Sequence, residues 1–281
     1  MTSKNVWKPG ALNYFVTNKG ILPFPEMEIS LLNSDQSVYE VIRVIDGVAL
    51  FLEDHFDRLV SSVQIRGFQL DMELSEFRQH IAELVRINRI ENGNVKFVIS
   101  EVGTTTQWSF SFISHSYPDS SDYLSGVSVD LLFAERENPT AKIIQNTVRE
   151  RANQMITDQH LYEVLLVDRH ERITEGSRSN VFFVKGNWFY TAPYSMVLAG
   201  VTRKKVMECL ADLKFTIIEE AVSTSEISTF DAAFLTGTSP KVLPVNRIGE
   251  IKFQVKNIYI EQLIAKYNLM IEWYLAERRE N

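Results

Sequence analysis

A change of hydrophobic period around Asp46-Gly47 constrains the fold more than any other feature of this sequence. Before the dipeptide, residues 38–44 alternate between the two faces of a strand, with Tyr39 and Arg43 on the same face. The dipeptide separates two apolar runs, which is the strongest short signal for a β-hairpin. Apolar residues then recur at helical spacing over residues 52–67. A hairpin that runs directly into a helix indicates an α+β arrangement and not a regular strand–helix–strand repeat.

The rest of the first half predicts more helix and strand, followed by a polar stretch. Apolar residues at helical spacing predict a second helix over about residues 74–90, and two strands follow it. Residues 116–126 are rich in Ser, Asp, Pro and Gly, which is typical of a segment between domains. We therefore expect an α+β protein with two domains: a small N-terminal α/β domain over residues 1–118, a linker over 119–126, and a larger C-terminal domain with mostly antiparallel strands over 127–281.

The composition narrows the class of protein. Hydrophobic residues make up 45% of the 281 residues and charged residues 23%, as in ordinary globular proteins. The net charge of −7 disfavours non-specific binding to nucleic acid, which needs a basic surface. No apolar run approaches the roughly 18 residues of a membrane span, and residues 1–10 lack the apolar core of a signal peptide. The single cysteine and the absence of metal-ligand spacing predict no internal disulfide and no metal site. We therefore expect a soluble cytoplasmic protein.

Lys142 is the first candidate for chemistry. It lies in the stretch Pro139-Thr-Ala-Lys-Ile-Ile144, at the start of a helix that we expect over residues 142–159. Its apolar neighbours Ala141 and Ile143 indicate burial, which would lower the pKa of the lysine and make its neutral amine available. A solvated surface lysine is the alternative that composition alone favours.

A second candidate lies at Thr174–Phe182, which reads Thr-Glu-Gly-Ser-Arg-Ser-Asn-Val-Phe. Glu175 stands before a Gly-Ser turn, 33 positions after the lysine, and Ser179 and Asn180 lead into an apolar run. The alternative reading is an ordinary turn glutamate at the end of a strand.

Three further segments are suited to an anion. Gly200 and Val201 precede a helix that we expect from Thr202 to Leu213, and backbone N–H groups at a helix start attract phosphate. Gly237-Thr238-Ser239 forms a second small-residue turn. The guanidinium of Arg58, in His55-Phe-Asp-Arg-Leu59, suits a dianion, although a surface arginine paired with a nearby acid is the alternative.

These segments, in this order, resemble the fold-type IV pyridoxal-phosphate enzymes, that is, the class IV aminotransferase family with its branched-chain aminotransferases, D-amino-acid aminotransferases and aminodeoxychorismate lyases. The resemblance implies pyridoxal 5′-phosphate as cofactor, with Lys142 as the catalytic lysine that carries it as a Schiff base and moves the substrate proton. It also implies that Glu175 keeps the pyridine nitrogen protonated. The remaining cofactor-binding residues that it implies are Arg58, Ser179, Asn180, Val201, Thr202, Thr238 and Ser239.

The substrate side resembles each of the three subfamilies only in part. By resemblance, Tyr39 lines the pocket. Because Tyr39 and Arg43 face the same way if the strand alternates, both are candidates for holding the substrate carboxylate or side chain. Lys96, the third candidate on the substrate side, stands where branched-chain enzymes carry an arginine and lyases often a lysine. A core tyrosine with a surface-paired arginine is an equal alternative. Glu40 stands where the lyases carry threonine, which favours an aminotransferase. Thr147 stands where branched-chain enzymes usually carry a tyrosine, and residues 101–106 lack the Arg-x-His of the D-amino-acid enzymes. The pocket therefore matches none of the three.

We therefore expect an aminotransferase that moves an amino group between a branched-chain-like or D-amino acid and a 2-oxo acid. The resemblance implies a homodimer. Two alternatives stay open: a lyase that releases pyruvate from aminodeoxychorismate, and a homologue that binds the cofactor without catalysis.

Overall fold

The structure, a computed structural model, describes residues 14–23, 37–102 and 105–279. These residues form two compact units. The first unit takes those within Met1–Tyr117, Ala141–Ile144 and Ile271–Asn281, and the second takes those within Pro118–Thr140 and Gln145–Met270.

The first unit is built on a six-stranded sheet, in which every neighbouring pair of strands is antiparallel. The strand order is β2-β1-β6-β5-β3-β4. The strands are β1 (Tyr14–Thr17), β2 (Gly20–Pro23), β3 (Val38–Ile45), β4 (Val48–Ala49), β5 (Gly93–Val102) and β6 (Thr105–Ile113), and two helices accompany them, α1 (Leu52–Arg66) and α2 (Leu74–Asn88).

The hairpin expected at Asp46-Gly47 is confirmed. Both residues have positive φ angles, 49° and 80°, as a two-residue type I′ turn requires, and β3 pairs with β4 across them. The residues of β3 alternate between buried and half-buried, with Ile42 fully buried. Helix α1 ends where expected, because Gly67 adopts a left-handed φ of 78° that closes the last turn.

One face of this sheet packs on a core of apolar side chains from both helices and the strands. Phe77 of α2 is central to it, with its ring centroid 5.1 Å from that of Phe97 and 4.8 Å from that of Phe110. All three rings are fully buried. The helical stripes read from the sequence thus cover the apolar face of the sheet.

The second unit is built on a mixed sheet with strand order β12-β11-β10-β13-β14-β7-β8-β9, and β15 pairs with β14. The pairs β11–β12, β14–β7 and β7–β8 are parallel, and the others are antiparallel. The strands are β7 (Val127–Phe133), β8 (Glu163–Val167), β9 (Ile173–Gly176), β10 (Asn180–Lys185), β11 (Trp188–Thr191), β12 (Thr216–Glu219), β13 (Ala232–Gly237), β14 (Lys241–Ile248) and β15 (Ile251–Lys252).

The helices of the second unit are α3 (Ser120–Ser125), α4 (Asn146–Asp158), α5 (Val201–Asp212) and the first part of α6 (Ile258–Arg279), whose end belongs to the first unit. Strands β8 and β10 are buried along nearly their whole length, which explains their continuous apolar runs. The α+β architecture expected from the sequence is confirmed. No helix in the described part of the chain is long and apolar enough to cross a membrane.

Three details differ from the sequence-based expectations. Residues 119–126, expected as a linker, contain helix α3, because the Asp119 carboxylate accepts the N–H groups of Ser121 and Asp122 and caps it. The helix expected from residue 142 begins at Asn146. Segment 141–144 and the end of α6 belong to the first unit, whereas the sequence placed both in the second domain.

Candidate active site

Seven of the twelve candidate residues fall into two clusters, one in each unit. The lysine cluster, in the first unit, comprises Tyr39, Glu40, His55, Arg58, Ser62, Lys96 and Lys142. The glutamate cluster, in the second unit, comprises Arg136, Glu163, Glu175, Ser177, Ser179, Asn180 and Leu198.

Lys142 is held by hydrogen bonds on both sides of its backbone. Its N–H donates to Oγ of Ser62 on α1 (3.1 Å), and its carbonyl accepts the N–H of Tyr39 on β3 (3.1 Å). Ile143 then forms an antiparallel bridge with β3. This pairing explains why the segment is extended and not helical. The neighbours Ala141 and Ile143 are buried in the core of the first unit, as the sequence indicated.

The amine of Lys142 lies against an aromatic ring. Its Nζ is 4.6 Å from the ring centroid of Tyr39, and Nζ of Lys96 is 5.7 Å from the same centroid. Lys96 pairs in register with Val41, two residues after Tyr39 on β3, so it lies on the same face of the sheet. The electron-rich face of an aromatic ring attracts ammonium groups. The structure thus brings together three of the sequence-predicted residues.

Arg43 shares the β3 face of Tyr39, but its guanidinium stacks on another ring. Its Cζ lies 3.9 Å from the ring centroid of Tyr117, whose hydroxyl donates to Oδ1 of Asn94 (2.9 Å). Burial raises the pKa of Tyr117. The substrate role of Arg43 stays a prediction.

Arg58, whose side chain is 8% exposed, forms an ion pair with Glu40, a partner that the sequence did not indicate. Its Nε and Nη2 donate to the two oxygens of Glu40 at 2.7 and 2.6 Å, and Nδ1 of His55 lies 2.9 Å from Oε2. Burial would raise the pKa of Glu40, but Arg58 and His55 outweigh it and hold the pKa at about 2. Burial lowers the pKa of His55, and the nearby charges of Arg58 and Lys142 lower it further. The phosphate role of Arg58 stays a prediction.

Glu175 lies in β9 as a buried carboxylate that accepts hydrogen bonds on both oxygens. Its Oε1 accepts Nη1 of Arg136 (3.0 Å), and its Oε2 accepts the N–H of Leu198 (3.0 Å) and Nδ2 of Asn180 (3.4 Å). Its side chain is 3% exposed and that of Arg136 is 12% exposed. An ion pair with hydrogen bonds of this kind keeps a buried carboxylate charged.

Sequence reasoning missed Arg136. It lies in the polar run Glu135-Arg-Glu-Asn138, which reads as a solvated loop, and its partner is 39 positions away. Nothing in the local pattern links the two residues, because their contact depends on how β7 and β9 lie in the sheet.

Asn180 connects the glutamate to the loop before α5. Its Nδ2 donates to the carbonyl of Leu198 (3.0 Å) as well as to Glu175. A Cβ at Gly200, the N-cap of α5, would lie 2.0 Å from Oδ1 of Asn180. Only glycine allows this approach of the loop to the side-chain amide of Asn180.

Ser179 belongs to a neighbouring network around Glu163, a second buried carboxylate that the sequence analysis did not select. Glu163 accepts Oγ of Ser177 (2.6 Å), Oγ of Ser179 (3.1 Å) and the N–H of Arg178 (3.0 Å). A Cβ at Gly176 would lie 2.1 Å from Oγ of Ser179. The glycine and the serines of the motif therefore fold the turn over Glu163. A signal was present in the sequence, since a glutamate leads the apolar run of β8.

The other residues expected to bind phosphate lie in the second unit, at the start of α5 and in a turn between two strands. Val201 and Thr202 are the first residues of α5 and are buried, and helix starts expose unpaired N–H groups. Thr238 and Ser239 lie half-buried in the turn between β13 and β14. Their cofactor contacts stay a prediction. In the described ranges, no group of three or more His, Cys, Asp or Glu side chains is arranged for a metal ion.

On an α+β scaffold, the first unit holds an amine against an aromatic ring, and the second unit holds a buried, ion-paired carboxylate and a helix start capped by glycine. Residues 37–248 match the family model of the amino-transferases of class IV, and the chain belongs to this family.

Curated relatives span two kinds of aminotransferase. The chain is 28% identical over 226 residues to the D-alanine aminotransferase of Bacillus licheniformis, covering 75% of this chain and 78% of the relative. It is 25% identical over 276 residues to a probable branched-chain-amino-acid aminotransferase of Rickettsia typhi, covering 92% of this chain and 96% of the relative.

Solved structures confirm the fold. The branched-chain aminotransferase of the thermophilic archaeon Thermoproteus uzoniensis, solved with norvaline, superimposes with a TM-score of 0.81 at 21% identity, covering 94% of this chain and 98% of that one. A putative 4-amino-4-deoxychorismate lyase of Legionella pneumophila superimposes with a TM-score of 0.77 at 21% identity, covering 84% of this chain and 91% of that one. At these identities the likeness shows the fold alone.

Pyridoxal phosphate is the cofactor of this family, and a branched-chain aminotransferase of the same fold has been solved with pyridoxamine 5′-phosphate. The side chains present in this chain fit the cofactor. Lys142 offers an amine for its aldehyde, and the ion-paired Glu175 offers a carboxylate for its ring nitrogen. The start of α5 offers N–H groups for its phosphate. The cofactor prediction is confirmed at the level of the family.

Proposed function

We propose that this chain is a pyridoxal-phosphate-dependent aminotransferase that moves an amino group between an amino acid, of branched-chain or D-amino-acid type, and a 2-oxo acid. The observation that carries the proposal is the amine of Lys142 on the ring of Tyr39, with its backbone hydrogen-bonded on both sides. Such an arrangement fixes the position of an amine that must act as nucleophile and then as base.

When bound, the cofactor supplies an aldehyde that combines with amines and a cationic ring that accepts electrons from a broken Cα–H bond. Toward such a cofactor, Lys142 would bind the aldehyde carbon, and its Nζ would take and return the substrate proton. Glu175 would hold the proton on the ring nitrogen. Arg58, together with Val201, Thr202, Thr238 and Ser239, would bind the phosphate, while Ser179 and Asn180 shape the turn beside Glu175.

Tyr39, Arg43 and Lys96 form the substrate side of the proposal. Lys96 places a second positive charge beside the Tyr39 ring, suited to a substrate carboxylate. Glu40 supports transamination over lyase chemistry, because lyases of this family carry threonine at that position and a threonine has no charge to pair with Arg58.

A visible absorbance spectrum of the purified protein, taken before and after a panel of L- and D-amino acids is added, tests the proposal. We expect a yellow band that bleaches with the preferred amino acids and returns with a 2-oxo acid. Lys142→Ala should lose turnover by several orders of magnitude while still binding some cofactor through its phosphate. Lys205→Ala, a lysine that pairs with Glu208 on α5, is the matched control and should react normally.

The absence of a band in the wild-type protein, even after pyridoxal phosphate is added, would refute the proposal. A band that no amino acid changes would indicate a homologue that binds the cofactor without catalysis.

Lys96 gives the lyase alternative its specific support, because lyases of this family often carry lysine at that position. A lyase would release pyruvate from aminodeoxychorismate with no 2-oxo acid present. Coupled detection of pyruvate in that mixture separates the two functions.

We also propose a homodimer, on the resemblance to the family. Analytical ultracentrifugation of the purified chain measures the mass of the species in solution. We expect about twice the chain mass, and a species at 32.3 kDa would exclude the dimer.

A further inference from the structure

We propose that Arg136 is a positioning residue. Glu175 and the ring nitrogen of the cofactor share one proton, and Arg136 keeps that proton on the nitrogen. The inference rests on the proposed function, because it concerns the cofactor of that site. It goes beyond the proposed function by assigning the protonation state of the ring to a residue outside the segment Thr174–Phe182.

Arg136 contacts Glu175 directly and away from bulk water. Its Nη1 donates to Oε1 at 3.0 Å, and the two side chains are 12% and 3% exposed. By contrast, the nearby pair of Arg169 with Glu135 has an arginine that is 76% exposed. Solvent screens the attraction within the exposed pair more than the attraction between Arg136 and Glu175.

Two further donors to Glu175 carry no net charge. The N–H of Leu198 and the amide of Asn180 reach Oε2, and the same amide donates to the Leu198 carbonyl. These bonds fix the orientation of the carboxylate. Arg136 adds a positive charge on the opposite oxygen.

A proton between a carboxylate and a pyridine has two positions in a buried site. It lies either on the carboxylate, which leaves both groups neutral, or on the ring, which makes both groups charged. Burial favours the neutral pair, because separated charges lose solvation. A guanidinium beside the carboxylate favours its ionised form by about one to three pKa units. Arg136 therefore shifts the proton to the ring, and a protonated ring accepts electrons better.

The test follows the ring nitrogen itself. The wild-type protein and its variants are loaded with pyridoxal 5′-phosphate labelled with ¹⁵N in the ring, and the nitrogen resonance is recorded as a function of pH. We expect the wild-type resonance to stay at the protonated position over the neutral range. In Arg136→Gln the midpoint for loss of the ring proton should fall by about one to three pH units.

Three variants and one analogue complete the design. Arg136→Lys keeps the charge and should restore most of the shift, whereas Arg169→Gln should titrate like the wild type. Arg136→Met keeps the apolar stem of the side chain and replaces Arg136→Gln if that variant does not fold. A 1-deaza analogue of the cofactor has no ring nitrogen, so its affinity should be the same in the wild type and in Arg136→Gln.

The outcomes separate the two proposals. If the wild-type protein binds no pyridoxal phosphate, the proposed function fails. If it binds the cofactor and transaminates, but the neutral Arg136 variant titrates like the wild type, only the role of Arg136 fails. Equal loss of affinity for the cofactor and its 1-deaza analogue would also overturn it, because this would show a purely structural role.

Discussion

The two units each contain a buried carboxylate paired with arginine, but the two carboxylates are held in different ways. Glu40 receives two bonds from Arg58 and lies within bonding distance of His55. Glu175 meets Arg136 on one oxygen and two uncharged donors on the other. The first carboxylate is matched by two side chains that can carry positive charge, as in a structural ion cluster. The Glu175 carboxylate is oriented by two neutral donors on one oxygen and forms an ion pair on the other. This arrangement suits a carboxylate that also interacts with a charged ligand.

The largest effect should come from removing the carboxylate of the structural cluster. Glu40→Ala leaves Arg58 without its counter-charge and buried His55 without its hydrogen-bond partner, and we expect a loss of about 3–5 kcal/mol in the free energy of unfolding. Glu175→Ala should cost about 1–3 kcal/mol, since it removes one ion pair and two weaker bonds. Urea unfolding of the cofactor-free variants measures both. Equal losses would contradict the difference that we infer between the two sites.

Acid should remove the stabilisation that the ionised Glu40 carboxylate provides. The pKa of Glu40 is lowered from 4.5 to about 2, so its ionised form stabilises the folded chain above pH 4.5. That stabilisation is lost as the pH falls from 4.5 through 2. The stability gap between the wild type and Glu40→Gln should therefore narrow over this window. Unfolding curves at a series of pH values give the gap, and a gap that stays constant would show that Glu40 is not ionised in the folded chain.

Glu163 sharpens the comparison, because its carboxylate accepts hydrogen bonds from two serine hydroxyls and from backbone N–H groups. Glu163→Gln replaces one acceptor oxygen by an N–H donor that faces these other donors. It should lower the free energy of unfolding by about 1–3 kcal/mol. The amide of Arg178, which donates to Glu163, should exchange its hydrogen faster. Hydrogen–deuterium exchange measures this. Glu135→Gln, which changes a partly exposed carboxylate, serves as control, and equal exchange in both variants would rule out the role of Glu163 in the turn.

The smallest effect should come from the backbone anchor of Lys142. Ser62→Ala removes the hydroxyl that accepts the Lys142 N–H and should lower the free energy of unfolding by about 1 kcal/mol. Ser61→Ala removes a neighbouring hydroxyl that bonds its own helix at the surface, and it should change little. Thermal unfolding compares the two. If Ser61→Ala were as costly as Ser62→Ala, the anchor would have no special part in holding the lysine.

Local sequence patterns were enough for the elements around the sites. The alternation of β3, the turn at Asp46-Gly47 and the helix that ends at Gly67 were all predicted within a residue or two. Each depends on neighbouring residues alone: side-chain period, positive φ angles, or a helix end. The strands β12 and β14 were not foreseen, because β14 contains Pro244, Asn246 and Arg247, and β12 is a short strand beside only one partner.

The sequence by itself determined the α+β class, the family motif and the identity of the lysine and glutamate candidates, because these depend on residue type and spacing. Only the tertiary structure decided which charges meet. The pairing of Arg58 with Glu40, of Arg136 with Glu175, and of segment 141–144 with β3 joins residues 18 or more positions apart. A buried charge takes its partner from whatever the fold brings within bonding distance, and no local pattern contains that information.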